Sequence, residues 1–520
     1  MSWQDWLMLA TIAALSLLGL AYYTIKKLYR HFEDRNIPYI KPKFLLGSDP
    51  DGVLFRLHVC DSWDNIYKKL EGKPIGGFFQ TVLPFLMVRD PEYIHQVLIS
   101  SFDHFFDRNF LIDEEVNPLD AHLFLLRGNK WRYLRNKLSP IFSSGKLRWM
   151  FDEMDHCGDI FLECIDKLAD GKDRDILDEL ARYATDVIES CAFGLEGDSI
   201  KNPNSKMRQV GRDLFDTSKF NLSQFFFLLR FSIPRLLIWL KVPSVPSHAK
   251  NFFCTTMSDV LEYRRKTGFQ RKDFVQLLLQ LKDKEIVEIN SNYDVGDEKG
   301  KHEETVTEKI EITDLLLVAQ SFVFFVAGFE TTSRTLHFLI HQLAEHQEFQ
   351  KRARKEVLDI KAKHGRFSYD ALKDMKFLNK CIAETLRMYP PVAMLNRECT
   401  KDFTFQDGTL IKKGEQIVIP IYSIHRDPRY FPDPLKYNPD RFEVDPQNGT
   451  YLPFGDGPRI CIGKRFAIVE IKIIMARLLE RYWFELSPLN GEKIEIDPWS
   501  LIVSSKKGLW VKIHKLTDLK

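Results

Sequence analysis

Between Asp5 and Lys26 the chain carries no charge, and the run from Trp6 to Ile25 is interrupted only by Thr11, Ser16, Gly19 and Thr24. As a helix rising about 1.5 Å per residue, such a segment spans a hydrocarbon layer of ~30 Å. Lys26, Lys27 and Arg30 follow it while only Asp5 precedes it, so the positive-inside tendency keeps everything downstream in the cytosol. A cleaved secretory peptide is the rival reading. It fits worse, because the basic leading region is missing and the apolar stretch is longer than such a peptide needs. Residues 1–30 are therefore expected to be a single-pass membrane anchor with a basic stop-transfer flank. Pro38, Pro42 and Pro50 among polar residues predict a stiff linker over residues 31–50, and residues 51–520 remain for the body.

That body is long enough to bury a large core. Basic and acidic residues nearly cancel, 74 against 72, which argues against a protein whose main work is gripping nucleic acid. The 40 Phe exceed the 17 Tyr and 9 Trp together, a surplus of apolar rings suited to a Phe-rich core or a greasy cavity. Eight cysteines without any CxxC pair do not make a disulfide framework. Any cysteine that does chemistry has to be found by its neighbours.

A 3.6-residue apolar period dominates from Asp90 to Arg387, with Trp131–Leu138, Ile176–Phe193, Phe253–Arg264 and Ile312–Leu343 as the clearest helices. Short strands are predicted at Phe78–Val88, Phe403–Leu410, Gln416–Pro420 and Leu501–Lys512, and the polar stretch Lys284–Glu308 reads as an exposed loop. No internal repeat is present, which removes solenoids and propellers. The expected fold is mostly α with small β-sheets, one large domain behind a single transmembrane helix.

Chemistry concentrates in Phe454-Gly455-Asp456-Gly457-Pro458-Arg459-Ile460-Cys461-Ile462-Gly463. Two glycines and a proline make a tight turn, and an amphipathic helix follows from Ile462 to Tyr482. Cys461 then sits at a helix N-terminus, where the macrodipole and open N–H groups favour a thiolate, the form in which sulfur binds a metal. Gly463 removes a side chain where a flat cofactor would press on the backbone, and Arg459 offers a cation to an anionic group. Two other patterns carry less. His337 and His341 stand at metal-ligand spacing, but the Glu of an H-E-x-x-H site is missing and the helix can carry both on its exposed side; Gly455-Asp456-Gly457 lacks the third glycine and the βαβ unit of a dinucleotide loop.

The pattern F-x-x-G-x-R-x-C-x-G, met at Phe454, Gly457, Arg459, Cys461 and Gly463, resembles the haem-binding loop of the cytochrome P450 family; five fixed positions would arise by accident on the order of 10⁻⁴ times in a chain this long. Ala327-Gly328-Phe329-Glu330-Thr331-Thr332 in the long helix matches the family's A-G-x-D/E-T motif. Glu384-Thr385-Leu386-Arg387, taken with Pro439-Asp440-Arg441-Phe442, resembles its buried Glu-Arg-Arg cluster. Gly128-Asn129-Lys130-Trp131 with Arg135 resembles its propionate-contacting helix.

The resemblance implies the cytochrome P450 fold and haem b (iron protoporphyrin IX), with Cys461 as the axial metal ligand. It implies that Arg459, Trp131, Arg135 and Arg397 reach the haem propionates, with Phe454, Gly463 and Ala327 also against the cofactor. Gly328 would open space over the haem, while Glu330 and Thr331 would organise water and protons for dioxygen activation. Glu384, Arg387 and Arg441 would hold the loop carrying Cys461.

The implied activity is a monooxygenase in the endoplasmic reticulum membrane acting on apolar small molecules, with NADPH serving indirectly through NADPH–cytochrome P450 reductase and cytochrome b5 as a further donor. Lys130, Arg132, Lys137, Lys464 and Arg465 are candidates for the donor's docking face. Phe102–Phe110, Phe215–Leu229, Val392–Leu395 and Trp499–Val503 are candidates for substrate contact. The run Leu138–Leu147 is most like animal microsomal members that oxidise drugs, plant toxins and insecticides, the arthropod ones in particular. Two rival functions stay open: a haem-thiolate isomerase or dehydratase, whose kind commonly lacks the acid–alcohol pair retained here, and a haem protein that binds ligands without turnover.

Overall fold

The computed structural model describes residues 2–215, 225, 229, 233–271, 273–282, 286–297 and 300–518. The elements that matter below are, in chain order, α1 (Trp3–Leu28), β1 (Ile75–Gln80), β2 (Leu83–Val88), α2 (Gly128–Leu138), α3 (Ser144–Leu168), β3 (Asp170–Asp175), α4 (Leu177–Ile188), α5 (Ser247–Thr267), β4 (Ile286–Asp297), β5 (Gly300–Glu311), α6 (Asp314–Glu345), α7 (Gln347–His364), α8 (Lys376–Met388), β6 (Leu395–Glu398), β7 (Phe403–Thr404), β8 (Leu410–Ile411), β9 (Gln416–Ile419), α9 (Lys464–Arg481), β10 (Tyr482–Leu486) and β11 (Trp510–Lys515). They fall into two compact units.

The first unit is drawn from Met1–Asn109, Ala393–Ile424 and Asn448–Thr450. Its helix α1 opens on a capping box in which Ser2 and Asp5 satisfy each other's backbone N–H groups, and none of its residues is buried. It is long and apolar enough to cross a membrane. Helix α6 passes the same test of length and composition but is mostly buried, as a core helix is.

The unit's main sheet runs β1-β2-β9-β6, with β1 and β2 antiparallel, β2 and β9 parallel, and β9 and β6 antiparallel. The stretch around Pro38–Pro50, expected as a spacer, is tied to this sheet: Pro38 O accepts from Gly77 N at 2.7 Å, Ile40 N donates to Gly77 O at 3.0 Å, and Ser48 Oγ accepts from Phe79 N at 2.9 Å. Gly77 is what allows it. A Cβ there would fall 2.5 Å from the Phe32 ring, which is fully buried. His31 and Arg35 both grip Glu415, whose carboxyl is drawn down to about 2: burial works against its charge, and the two partners' hydrogen bonds outweigh it.

The second unit comprises Phe110–Val392, His425–Gln447 and Tyr451–Lys520. Helix α6 runs through its centre, packed by α4, α5, α8 and α9. The sheet β10-β11-β3 is antiparallel, pairing Tyr482 with Lys515 and Trp510 with Asp175. Strand β3 reads Asp-Gly-Lys-Asp-Arg-Asp and has no apolar alternation, so no sequence pattern announces it; its charges suit an edge strand that must not recruit another chain.

Two expectations need correction. The stretch Lys284–Glu308 is largely a hairpin of β4 and β5, paired from Ile286 with Glu311 to Asp297 with Gly300, and only residues 284, 285, 298 and 299 lie outside the described residues. His337 and His341 are buried rather than exposed; His337 Nε2 lies 2.8 Å from Asp175 Oδ1, and burial pushes His341 down to about 4. The stretch Phe215–Leu229 lies mostly outside the described residues.

Candidate active site

In the second unit the loop before α9 turns on two glycines with positive φ, Gly455 at 71° and Gly457 at 69°. Asp456 Oδ1 accepts from Gly457 N at 2.8 Å, and Cys461 N donates back to Phe454 O at 2.9 Å, closing the turn. Helix α9 starts at Lys464 behind its cap Gly463. Cys461 is the one exposed cysteine of the eight; the others are buried or half-buried. A Cβ at Gly463 would project to 4.0 Å from Cys461 Sγ and meet nothing else, so the glycine keeps the space beside the sulfur open. Among the described residues no three His, Cys, Asp or Glu side chains gather in the manner of a metal cluster. The donor chemistry here is a single accessible sulfur.

Helix α2 brings cations to this loop. The Arg459 guanidinium lies 4.0 Å from the centre of the Trp131 ring, and its Nη2 donates to Leu126 O at 3.0 Å. Both side chains are buried. Arg135, one turn beyond Trp131, is pulled below its ordinary value by burial and held up by the charge of Cys461, which places it within electrostatic reach of the sulfur. Phe454 is half-buried in the same loop. Arg397 belongs to the first unit, on β6. It is 1% exposed, its Nη1 donates to Asn396 O, its Nε and Nη2 have no hydrogen-bond partner among the described residues, and burial pushes it down to about 10. A buried guanidinium held this way asks for an anion.

In the middle of α6, Ala327 is exposed and Thr331 half-buried, although the helix around them is core. Thr331 Oγ1 donates to Ala327 O at 2.7 Å, and Thr335 Oγ1 donates to Thr331 O at 2.8 Å. Glu330 points elsewhere. It is buried and paired with Arg334, Nε to Oε1 at 2.9 Å, and Arg334 in turn bonds Ser504. The acid and the alcohol are adjacent in sequence but are not brought into contact. Gly328 is closely packed: a Cβ there would fall 2.3 Å from Ile188 Cδ1, so its small size serves the packing of α6 on α4.

The Glu384 cluster is complete. Arg387 Nε donates to Glu384 Oε2 at 2.7 Å and Nη2 to Oε1 at 2.9 Å, Arg441 Nε donates to Oε1 at 3.0 Å, and the Asn438 amide adds a fourth bond at 2.9 Å. Both Glu384 and Arg387 are fully buried. Two further residues matter that sequence reasoning did not single out. His425 Nδ1 donates to Arg387 O at 3.1 Å, and its Nε2 accepts from Leu452 N at 2.8 Å, so a neutral imidazole ties the cluster to the strand of chain that enters the cysteine loop. Burial and the Arg387 charge hold this imidazole well below its ordinary value. Glu470, on α9, is also fully buried; its Oε2 accepts from Thr332 Oγ1 at 3.2 Å, and desolvation pushes its carboxyl well up. The available signal was Glu470 set with Lys472 in the otherwise apolar stretch Ala467–Ile474. His425 sits in a loop with no periodicity to mark it.

An exposed sulfur with open space beside it and arginines within reach fits a flat, anionic iron cofactor on the cysteine loop. Comparison with known proteins agrees. The sequence matches the Cytochrome P450 family over residues 52–512. It is 33% identical to "Probable cytochrome P450 6a14" of Drosophila melanogaster over 98% of this chain and 100% of that protein. It is 34% identical to "Cytochrome P450 9e2" of Blattella germanica over 94% of each chain, and 35% identical to "Probable cytochrome P450 6d5" of Drosophila melanogaster over 96% of this chain and 98% of that protein. With its helical body, small sheets and exposed thiol ahead of α9, the chain belongs to the cytochrome P450 family and is a haem-dependent P450 monooxygenase.

Proposed function

We propose that this chain is a membrane-anchored monooxygenase of the endoplasmic reticulum that places one atom of dioxygen into apolar small molecules. Its electrons come from NADPH through NADPH–cytochrome P450 reductase, with cytochrome b5 as a further donor. The observation that carries the reading is the single exposed thiol, Cys461, beside the gap left by Gly463 and within reach of Arg135. Haem, when bound, supplies the activation of dioxygen.

The remaining work belongs to the chain. Cys461 would hold the iron through its sulfur, on a turn closed by the bond from Cys461 N to Phe454 O. Phe454, Gly463 and Ala327 would border the cofactor. Arg459, buttressed by Trp131, would join Arg135 in neutralising the propionates. Thr331 presents a hydroxyl on the open side of α6 and holds a proton at Oγ1. Glu330 replenishes it only when its ion pair with Arg334 opens and its carboxylate takes up a proton from solvent water, which makes Thr331 the near group and Glu330 the remote one. Gly328, having no side chain, would leave space over the haem.

Residues 1–30 anchor the protein, 31–50 join the anchor to the body, and 51–520 form the catalytic domain, which faces the cytosol. Arg132, Lys137, Lys464 and Arg465 are exposed cations for the electron donor; Lys130 beside them pairs with Glu114 at 2.9 Å. Phe102–Phe110, Val392–Leu395 and Trp499–Val503 supply apolar surface for substrate.

Purified full-length protein with reductase, NADPH and a panel of apolar ligands tests the proposal. Substrate-dependent oxygen use with a product one oxygen heavier is expected. Turnover of a hydroperoxide without NADPH would replace the reading with an isomerase, and ligand binding with neither would replace it with a carrier. Cys461→Ser is expected to lose the reduced carbonyl spectrum; a chain that keeps it unaltered refutes the ligand assignment.

A further inference from the structure

Helix α7 carries six bases among its last fourteen residues that sort into two groups. Arg352 pairs with Asp440 at 2.7 Å, Lys363 with Asp374 at 2.8 Å, and Lys361 with Glu480. Lys351, Arg354 and Lys355 have no carboxylate within ion-pair distance among the described residues, and all three line one pocket of about 270 Å³ together with Leu358, Asp359 and Trp483. Positions 351, 354 and 355 share one helix face, so three unneutralised cations converge where the same helix elsewhere found acids for its bases. Arg354 is half-buried, and its Nε is shielded from water without a hydrogen-bond partner. Such a donor is costly unless something supplies an acceptor.

The concavity is fixed in place. Gln350, fully buried, binds the Phe484 backbone at both ends of its amide: Nε2 donates to Phe484 O at 2.8 Å, and Oε1 accepts from Phe484 N at 2.8 Å. Gln347 Nε2 adds a second bond to Phe484 O at 3.0 Å. Strand β10 is thereby pinned to the first turns of α7, and Trp483, next to Phe484, forms the aromatic wall of the pocket.

We infer that this pocket binds a small anion bearing one flat ring system, of the nucleoside monophosphate kind. The phosphate meets Lys351, Arg354 and Lys355. The ring lies against Trp483, and Asp359 accepts from a hydroxyl or amino group of the ligand. The volume falls just below the roughly 300–1,000 Å³ of drug-sized sites, which limits the occupant to a molecule of about mononucleotide size. None of these residues belongs to the cysteine loop or to the open face of α6, so the site stands apart from the monooxygenase reading.

Isothermal titration of the haem-loaded, full-length protein with adenosine monophosphate, inorganic phosphate and adenosine tests the inference. Saturable one-to-one binding of adenosine monophosphate is expected below about 1 mM, with phosphate and adenosine each weaker by about fivefold or more. Arg354→Gln should weaken the nucleotide by about tenfold. Trp483→Leu should weaken it severalfold while leaving phosphate unchanged. Should Arg354→Gln fail to fold, Lys351→Gln/Lys355→Gln, both at exposed positions, serves in its place, with unchanged melting temperature as the control. Absence of saturable binding, binding that none of these variants alters, or phosphate binding as tightly as the nucleotide would overturn the inference.

Discussion

The guanidinium of Arg459 lies 4.0 Å from the centre of the Trp131 ring, joining the loop that presents Cys461 to helix α2. The two residues are far apart in sequence, and each alone reads as an ordinary surface feature. Together they form a buried cation–π pair whose guanidinium also satisfies the Leu126 carbonyl. Trp131→Leu removes the pair, and the expected loss is about 1–2 kcal/mol of stability together with weaker haem retention. A double-mutant cycle with Arg459→Gln, read by denaturant unfolding and by haem stoichiometry, checks the coupling; strictly additive effects would show that the stacking carries no energy.

His425 gives the pH prediction. Its imidazole is neutral in the fold, donating from Nδ1 and accepting at Nε2, and it sits well below its ordinary value because burial and Arg387 both oppose a proton. The unfolded chain takes up that proton near the ordinary histidine value of 6.5. Stability from this group is therefore fully present above that pH and declines as the pH falls, at up to about 1.4 kcal/mol per pH unit. His425→Ala leaves the Leu452 amide and the Arg387 carbonyl unmatched and costs about 2–4 kcal/mol, and the variant should lose this component of the acid slope. Chemical denaturation from pH 5 to pH 8 measures both.

Gly328→Ala ought to favour the helix by up to ~1 kcal/mol on propensity alone. The opposite is expected here, a loss of about 1–3 kcal/mol, because the new methyl would fall 2.3 Å from Ile188 Cδ1. Ile188→Val shortens that side chain and should recover part of the loss in the double variant. Thermal unfolding of the four proteins decides, and a neutral or stabilising Gly328→Ala would show that α4 and α6 separate freely.

Thr331→Ala removes a hydroxyl bonded, among the described residues, to the Ala327 carbonyl alone, so the fold should be little changed, within about 0.5 kcal/mol. Product formed per NADPH is expected to drop on the order of tenfold, less than the ~10²–10⁴ of an irreplaceable acid because water can stand in for the hydroxyl. Arg334→Gln frees Glu330 from its ion pair and should shift the pH profile of coupling while leaving Thr331 in place. Parallel measurement of NADPH oxidation and product across pH separates the two contributions.

The apolar run behind Asp5, the long helix α6 and the turn that presents Cys461 are written locally, in period or in glycine placement, and so could be read from residues alone, whereas the Glu384–Arg387–Arg441 set was legible only through a family resemblance. Three-dimensional structure decided what depends on partners remote in the chain. It turned Gly328 toward Ile188 and Glu330 toward Arg334, and buried His337 and His341 rather than exposing them. It folded the proline stretch onto Gly77, gave Glu470 its partner Thr332, and recruited His425, which stands in no recognisable pattern. The reason is physical: helix period and turn chemistry act between near neighbours, whereas the direction a side chain faces within a packed core, and the partner that satisfies it, exist only after distant segments have met.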